Sequence, residues 1–194
     1  QREHLQDWIA AIPQEQILAV GIGMPGFVNA ELGLNPTFFK LKGNVGLRDY
    51  LSKELSLPVM IDNDSSLVAL AEMRFGAGKA ASDLLVVNIG WGIGLGMVIN
   101  GSLFRGHSGY AGEFSHIPIS QNNKICSCGK RGCLEVDTSL LVLVDKAKAE
   151  MAKGVSSRLQ DLFADDRKSA GDHFLDAAKA GDPLALSILS EAGL

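Results

Sequence analysis

All three cysteines of the chain fall in one stretch, CSCGKRGCLE, residues 126–135. Cys126, Cys128 and Cys133 have the spacing C-x-C-x4-C, with Gly129 and Gly132 allowing tight backbone turns between them. Clustered thiols outside a secreted framework point to metal, and a closed structural zinc site takes four ligands. Histidine can supply the fourth. His4 and His173 lie in helical segments remote in sequence, whereas His107 and His116 are close, His116 ten residues before Cys126. Lys130 and Arg131 would partly offset the charge of three thiolates. The competing reading is three reduced cysteines in a loop with no metal.

Three other stretches carry chemistry. In IDND, residues 61–64, Asn63 and Asp64 close an apolar run. An Asp there can take a proton from a sugar hydroxyl while the Asn fixes that hydroxyl by hydrogen bonds. Asp64 can equally cap the helix that SSLVALAE begins. In GWGIGLG, residues 90–96, Gly90, Gly92 and Gly94 would let backbone N–H groups approach a phosphate. A strand follows rather than a helix, so this is no dinucleotide fingerprint. A glycine-rich strand crossing in a crowded sheet explains the pattern as well. In GYAGEFSH, Glu113 and His116 lie three apart. If one ring nitrogen of His116 binds metal, the other can donate to a ligand oxygen. Glu113 and Glu135 can accept from sugar hydroxyls, or be solvated loop carboxylates.

The elements that must position these groups read as α/β. ILAVGIGMPG and LPVMIDND are continuous apolar runs, as buried parallel strands are, the second ending in its polar residues. Residues 2–11, with Leu5, Trp8 and Ile9 at helical spacing, and residues 47–55 and 65–75 read as helices. FGAGKAASD is a Gly/Ala-rich hinge, followed by two strands joined through the glycine-dense turn and a hairpin at Asn100-Gly101. Residues 107–135 are loop-like. Helices follow, with Leu140, Leu143, Val144 and Ala147 on one stripe, Phe174, Leu175 and Ala178 on another, and Asp182-Pro183 as a helix start. Two lobes are expected: residues 1–78 as part of a first α/β lobe, and 79–194 as a second, carrying the zinc loop and the C-terminal helices.

Composition bounds the function. Of the 194 residues 46% are hydrophobic and 21% charged, enough for one large domain or two small ones. No apolar run reaches membrane-spanning length, and the polar start QREHLQDWIA is not a signal peptide. With the reduced-thiol composition this places the chain in the cytoplasm. A net charge of −4 argues against a nucleic-acid surface within it. The chain starts with a helix and stops at SEAGL inside a helical pattern. It is therefore expected to be a fragment, incomplete at both ends.

In order along almost the whole chain, GIGMPGFVN, DND, FGAGKA, GWGIGLGMVINGSLFRG, GEFSH and CSCGKRGCLE resemble the ROK family, which groups bacterial sugar kinases with sugar-responsive transcriptional repressors. GEFSH and CSCGKRGCLE are similar to that family's zinc signature and carry most of its specificity. The resemblance implies a two-lobed actin-like fold of the sugar kinase and ribonuclease H type. It implies His116, Cys126, Cys128 and Cys133 as ligands of a structural zinc. It also implies sugar contacts from Asn63, Asp64, Glu113, His116 and Glu135, with Gly26 lining the sugar loop in the cleft between lobes.

One departure from the kinase pattern favours the repressor branch. The Asp-x-Gly-x-Thr hairpin that kinases use for ATP phosphates is missing, as trimming of the chain would also leave it, but Gly90-Trp91-Gly92 stands where kinases usually read Gly-Thr-Gly. An indole in place of a small hydroxyl removes a phosphate contact and fills its space. The sequence therefore reads as the sugar-sensing effector domain of a ROK regulator, binding a hexose or N-acetylhexosamine. DNA would be bound only through a helix-turn-helix outside this chain, and a homodimer or higher oligomer is expected. The alternative is an ATP- and Mg-dependent sugar kinase with Asp64 as general base and Gly90, Gly92 and Gly94 as its phosphate loop.

Overall fold

The apolar run that opens at Val20 forms strand β1, Val20–Met24. Strand β2, Val59–Asn63, runs parallel to it in a register from Val20↔Val59 to Met24↔Asn63. Parallel strands need a long return, and helix α1, Leu47–Leu55, lies on it. Ser56 turns the chain out of α1 in the left-handed region, φ 54°. Met24, Val28, Leu47, Leu55, Val59 and Ile61 form one core, with Ile9 packed against it. These features come from a computed structural model that describes residues 9, 11–13, 16–39, 45–121 and 123–193. Of the helix expected over residues 2–11, only Ile9 and Ala11 lie within the described residues.

Helix α2, Asp64–Phe75, starts at the residue after β2 without a loop. Strands β3 (Leu84–Ile89), β4 (Ile93–Ile99) and β5 (Ser102–Leu103) make a second sheet in that order. Gly96 lets β4 cross α2: a Cβ there would stand 2.3 Å from the Ser65 carbonyl oxygen and 2.4 Å from the Ala69 Cβ. Asn100 and Gly101 both take left-handed φ, 51° and 74°, as a tight hairpin turn requires. The expected hairpin is present.

Two compact units result. One comprises Gln1–Val86 with Gly96–Gly112, the other Val87–Leu95 with Glu113–Leu194. The second contains α3 (Glu135–Thr138), α4 (Leu140–Ala152), α5 (Leu159–Leu162), α6 (Ala170–Lys179) and α7 (Pro183–Gly193). Their apolar stripes meet as expected: Leu140, Leu143, Val144 and Ala147 of α4 pack with Leu159, Phe174, Ala177, Ala178, Leu184 and Ile188.

One expectation is corrected. ILAVGIGMPG and LPVMIDND read as buried strands, yet Leu18 and Met60 are exposed. Alternate residues of β3 are exposed along its whole length, so among the described residues nothing covers that face. No helix among the described residues is long and apolar enough to cross a membrane.

Asp182 holds the helical unit together. Its buried carboxylate accepts from the Ser157 hydroxyl at 3.0 Å and the Arg158 and Ala185 backbone N–H groups at 3.1 and 3.0 Å, capping α7 and tying down the approach to α5. Burial works against its charge, but these donors outweigh it and hold the carboxyl below its ordinary value. That contribution is complete above about pH 4 and is lost as pH falls through the lowered value. Asp182→Ala should cost about 2–3 kcal/mol at neutral pH. Urea unfolding from pH 7 to pH 2 should show the gap to the parent protein closing on the acid side.

Candidate functional site

The sulfur-rich loop is folded by cross-chain pairing rather than by a core. Pro118 bridges Cys133 and Ile125 bridges Arg131, while the Ile119 and Ser120 N–H groups both donate to the Gly132 carbonyl at 2.9 Å. Gly129 and Gly132 take positive φ, 86° and 69°, at the turns where the spacing called for glycine. This pairing carries Cys126, Cys128 and Cys133 to His116, which ends a short 3-10 turn, Phe114–His116. His116 Nδ1 stands 3.4 Å from Cys126 Sγ, and Cys128 Sγ stands 3.7 Å from Cys133 Sγ. The four ligand atoms lie within 4.8 Å of one another, and His107 is not in the group.

This geometry fits a metal. A zinc tetrahedron with bonds of about 2.3 Å to sulfur and about 2.0 Å to nitrogen has edges of roughly 3.5–3.8 Å. The two close pairs match those edges, and 3.7 Å between sulfurs is far from a disulfide. Burial pushes the Cys133 thiol up to about 12, and the neighbouring Cys128 and Cys126 add to the effect. At Cys128 burial acts the same way, but the Lys130 backbone N–H and the adjacent sulfurs outweigh it and lower the thiol. Three sulfurs this close cannot all carry charge without a cation between them, and a metal ion would supply it.

Two carboxylates flank the same imidazole. Glu113 Oε2 stands 3.7 Å from His116 Nε2, and Glu135 Oε2 stands 3.7 Å from His116 Nδ1. Glu113, His116 and Glu135, read from separate motifs, thus form one group with the cysteines. In the adjoining turn the Gly90 N–H donates to the Gly92 carbonyl at 2.9 Å, and the Gly90 carbonyl accepts from Leu140 N–H at 3.1 Å. Trp91 is 52% exposed at its tip, and Gly94 lies within β4.

Gly26, Asn63 and Asp64 gather in the other unit. The Asn63 side-chain oxygen accepts from Ser66 N–H at 3.1 Å, and its amide donates to the Gly26 carbonyl at 3.3 Å. The helix cap is therefore Asn63 and not Asp64, because β2 stays extended through Asn63 and Asp64 is already helical. Asp64, partly exposed in the first turn, accepts from its neighbour Ser65 N–H at 2.7 Å. Gly26 takes φ 85°, and a Cβ there would stand 2.8 Å from the Thr37 side chain. Thr37 in turn accepts from Phe27 N–H at 2.8 Å.

Some supporting residues were not legible in sequence. Arg105 pairs with Asp62, whose other oxygen accepts from Asn63 N–H at 2.9 Å. Buried Asn35 donates to the Pro25 carbonyl at 3.1 Å, and buried Asn29 donates to the Ser108 carbonyl at 3.1 Å. An apolar context around Asn29 and Asn35 is the only local hint. For Arg105, 43 residues from its partner, there is none.

The sequence profile of the ROK family matches residues 2–193. The chain is 36% identical over 183 residues to a glucokinase of Halalkalibacterium halodurans, covering 91% of this chain and 54% of that protein. It is 41% identical over 143 residues to a xylose repressor of Caldicellulosiruptor bescii, covering 73% and 36%. The crystal structure of a ROK family transcriptional regulator, homologous to the Mlc protein of E. coli, superposes with a TM-score of 0.74 at 31% identity, over 99% of this chain and 47% of that one. The chain spans about half the length or less of these relatives.

Cys133→Ser should reduce bound zinc to a small fraction of the parent protein's content and lower its melting temperature. Elemental analysis after dialysis against a mild chelator reads the first effect. Unchanged zinc content would exclude this ligand set.

Proposed function

Because the chain belongs to the ROK family, we propose that it is the sugar-sensing part of a transcriptional regulator of that family. The family places it as either a repressor or a glucokinase-type sugar kinase. The observation that favours the repressor is Trp91. Phosphoryl transfer depends on positioning and electrostatic stabilisation of phosphate oxygens. Here the turn that would serve them presents an exposed indole between Gly90 and Gly92, and its first N–H is committed to the turn itself.

In this reading His116, Cys126, Cys128 and Cys133 hold zinc, which neutralises the thiolates and fixes the loop. The residues that would meet a sugar are Gly26, Asn63, Asp64, Glu113, His116 and Glu135. Carboxylates and an amide suit a polyol, because each accepts from or donates to neighbouring hydroxyls without a formal charge on the ligand. The His116 ring serves two masters: Nδ1 faces the sulfurs and Nε2 faces Glu113. A bound hexose or N-acetylhexosamine would shift the population of protein conformations and so the spacing of paired DNA-reading domains carried elsewhere in the full protein. The protein would act in the cytoplasm as a dimer or higher oligomer.

The kinase reading rests on Asp64, which remains partly exposed at the start of α2 with a carboxylate able to serve as general base. It would need ATP and Mg. The same Asp serves a sensor as an acceptor for a sugar hydroxyl.

The full-length protein should bind a sugar from a panel of glucose, xylose and N-acetylglucosamine, release operator DNA on binding it, and turn over no ATP. Asp64→Asn should weaken sugar binding about tenfold or more. Turnover of about 1–100 per second in a coupled assay would replace the regulator with the kinase.

A further inference from the structure

Glu135 and the glycine turn meet in a way that neither motif suggests. A Cβ added at Gly92 would stand 2.9 Å from Glu135 Oε1, with the Glu135 carboxyl carbon at 3.9 Å and nothing else within 4 Å. The other oxygen of the same carboxylate is the one 3.7 Å from His116 Nδ1. The carboxylate is thus set between the bare Cα of Gly92 and the imidazole. Gly92 does not take a left-handed φ, so its backbone imposes no need for glycine. What excludes a side chain there is the carboxylate alone. The turn's own bonds, Gly90 N–H to the Gly92 carbonyl and Leu140 N–H to the Gly90 carbonyl, tie it to the start of α4, two residues beyond the end of α3, which Glu135 begins.

We propose that Gly92 is a positioning residue for the sugar site, acting through Glu135. Its missing side chain is the seat in which the Glu135 carboxylate rests beside His116. This gives the Gly90–Gly92 turn a role in which phosphate takes no part. The inference rests on the reading of Glu135 as a sugar contact. A methyl group at 92 meets only the far end of a flexible side chain, so the fold yields cheaply by swinging the carboxylate aside. The site, not the fold, bears the consequence.

The test is a double-mutant cycle in the full-length protein, titrated calorimetrically with glucose, xylose and N-acetylglucosamine. Gly92→Ala should weaken the sugar that binds by about tenfold, as loss of one well-placed hydrogen bond does, with the melting temperature and zinc content unchanged. In an Glu135→Asp background, where the shorter side chain leaves room, the same substitution should cost less than about twofold. An equal loss in both backgrounds, or none in either, overturns the proposal. Glu135→Ala separates the two readings: if it leaves affinity unchanged, Glu135 is not a sugar contact, whatever Gly92 does. A crystal structure of the zinc-loaded Gly92→Ala protein closes the remaining path. A Glu135 carboxylate displaced from His116 supports the seat even where no panel sugar binds, and an unmoved one refutes it.

Discussion

The crowding of three sulfurs and one imidazole within 4.8 Å is the constraint on which the site of the second unit depends. The loop that carries them has little apolar material beneath it. Ile117, Ile119 and Ile125 are exposed, and the buried members of the stretch are Ser115, Cys126, Gly132 and Cys133. Burial therefore cannot hold the loop, and cross-chain hydrogen bonds close to water are each worth little. Four ligands on one cation would supply what a core does. Because His116 is one of them, the positions of Glu113 and Glu135 follow from the same constraint.

The other unit uses a polar residue in an equivalent way. Asn63 ends a strand, caps a helix and holds the Gly26 carbonyl, so one amide fixes three backbone segments around Asp64. Asp62 beside it is paired with Arg105, and its other oxygen accepts from the Asn63 N–H. Both arrangements make local geometry depend on a side chain that a ligand can also meet. In the proposed sensor, binding and folding would share the same few groups.

Sensor and kinase readings assign the same residues to a sugar, and the fold is common to both. They part only at phosphate. The Gly90–Gly92 turn is where the two readings differ, with an exposed indole at its tip and the Glu135 carboxylate against its last glycine. A turn occupied on one side by Glu135 and crowned by Trp91 suits the shaping of a sugar site more than the cradling of a triphosphate.

Much of this was legible along the chain. The bounds of α1, the presence of β2, the Asn100-Gly101 turn, the α4 stripe and the Asp182-Pro183 helix start all follow from periodicity and capping chemistry, which act over a few residues. The choice of Asn63 over Asp64 as cap was not, since it turns on the one residue at which the backbone leaves the extended region. The open face of β3 was also hidden, because an apolar run does not record what lies against it. The sequence by itself determined the elements, the family and the four metal-ligand candidates, since each is encoded in residue types at short spacing. Only the tertiary structure decided that the His116 ring and the three sulfurs gather within 4.8 Å, that Arg105 pairs with Asp62 across 43 residues, and that Gly92 faces Glu135. Those are meetings through space, set by how the chain returns on itself, and no local pattern carries them.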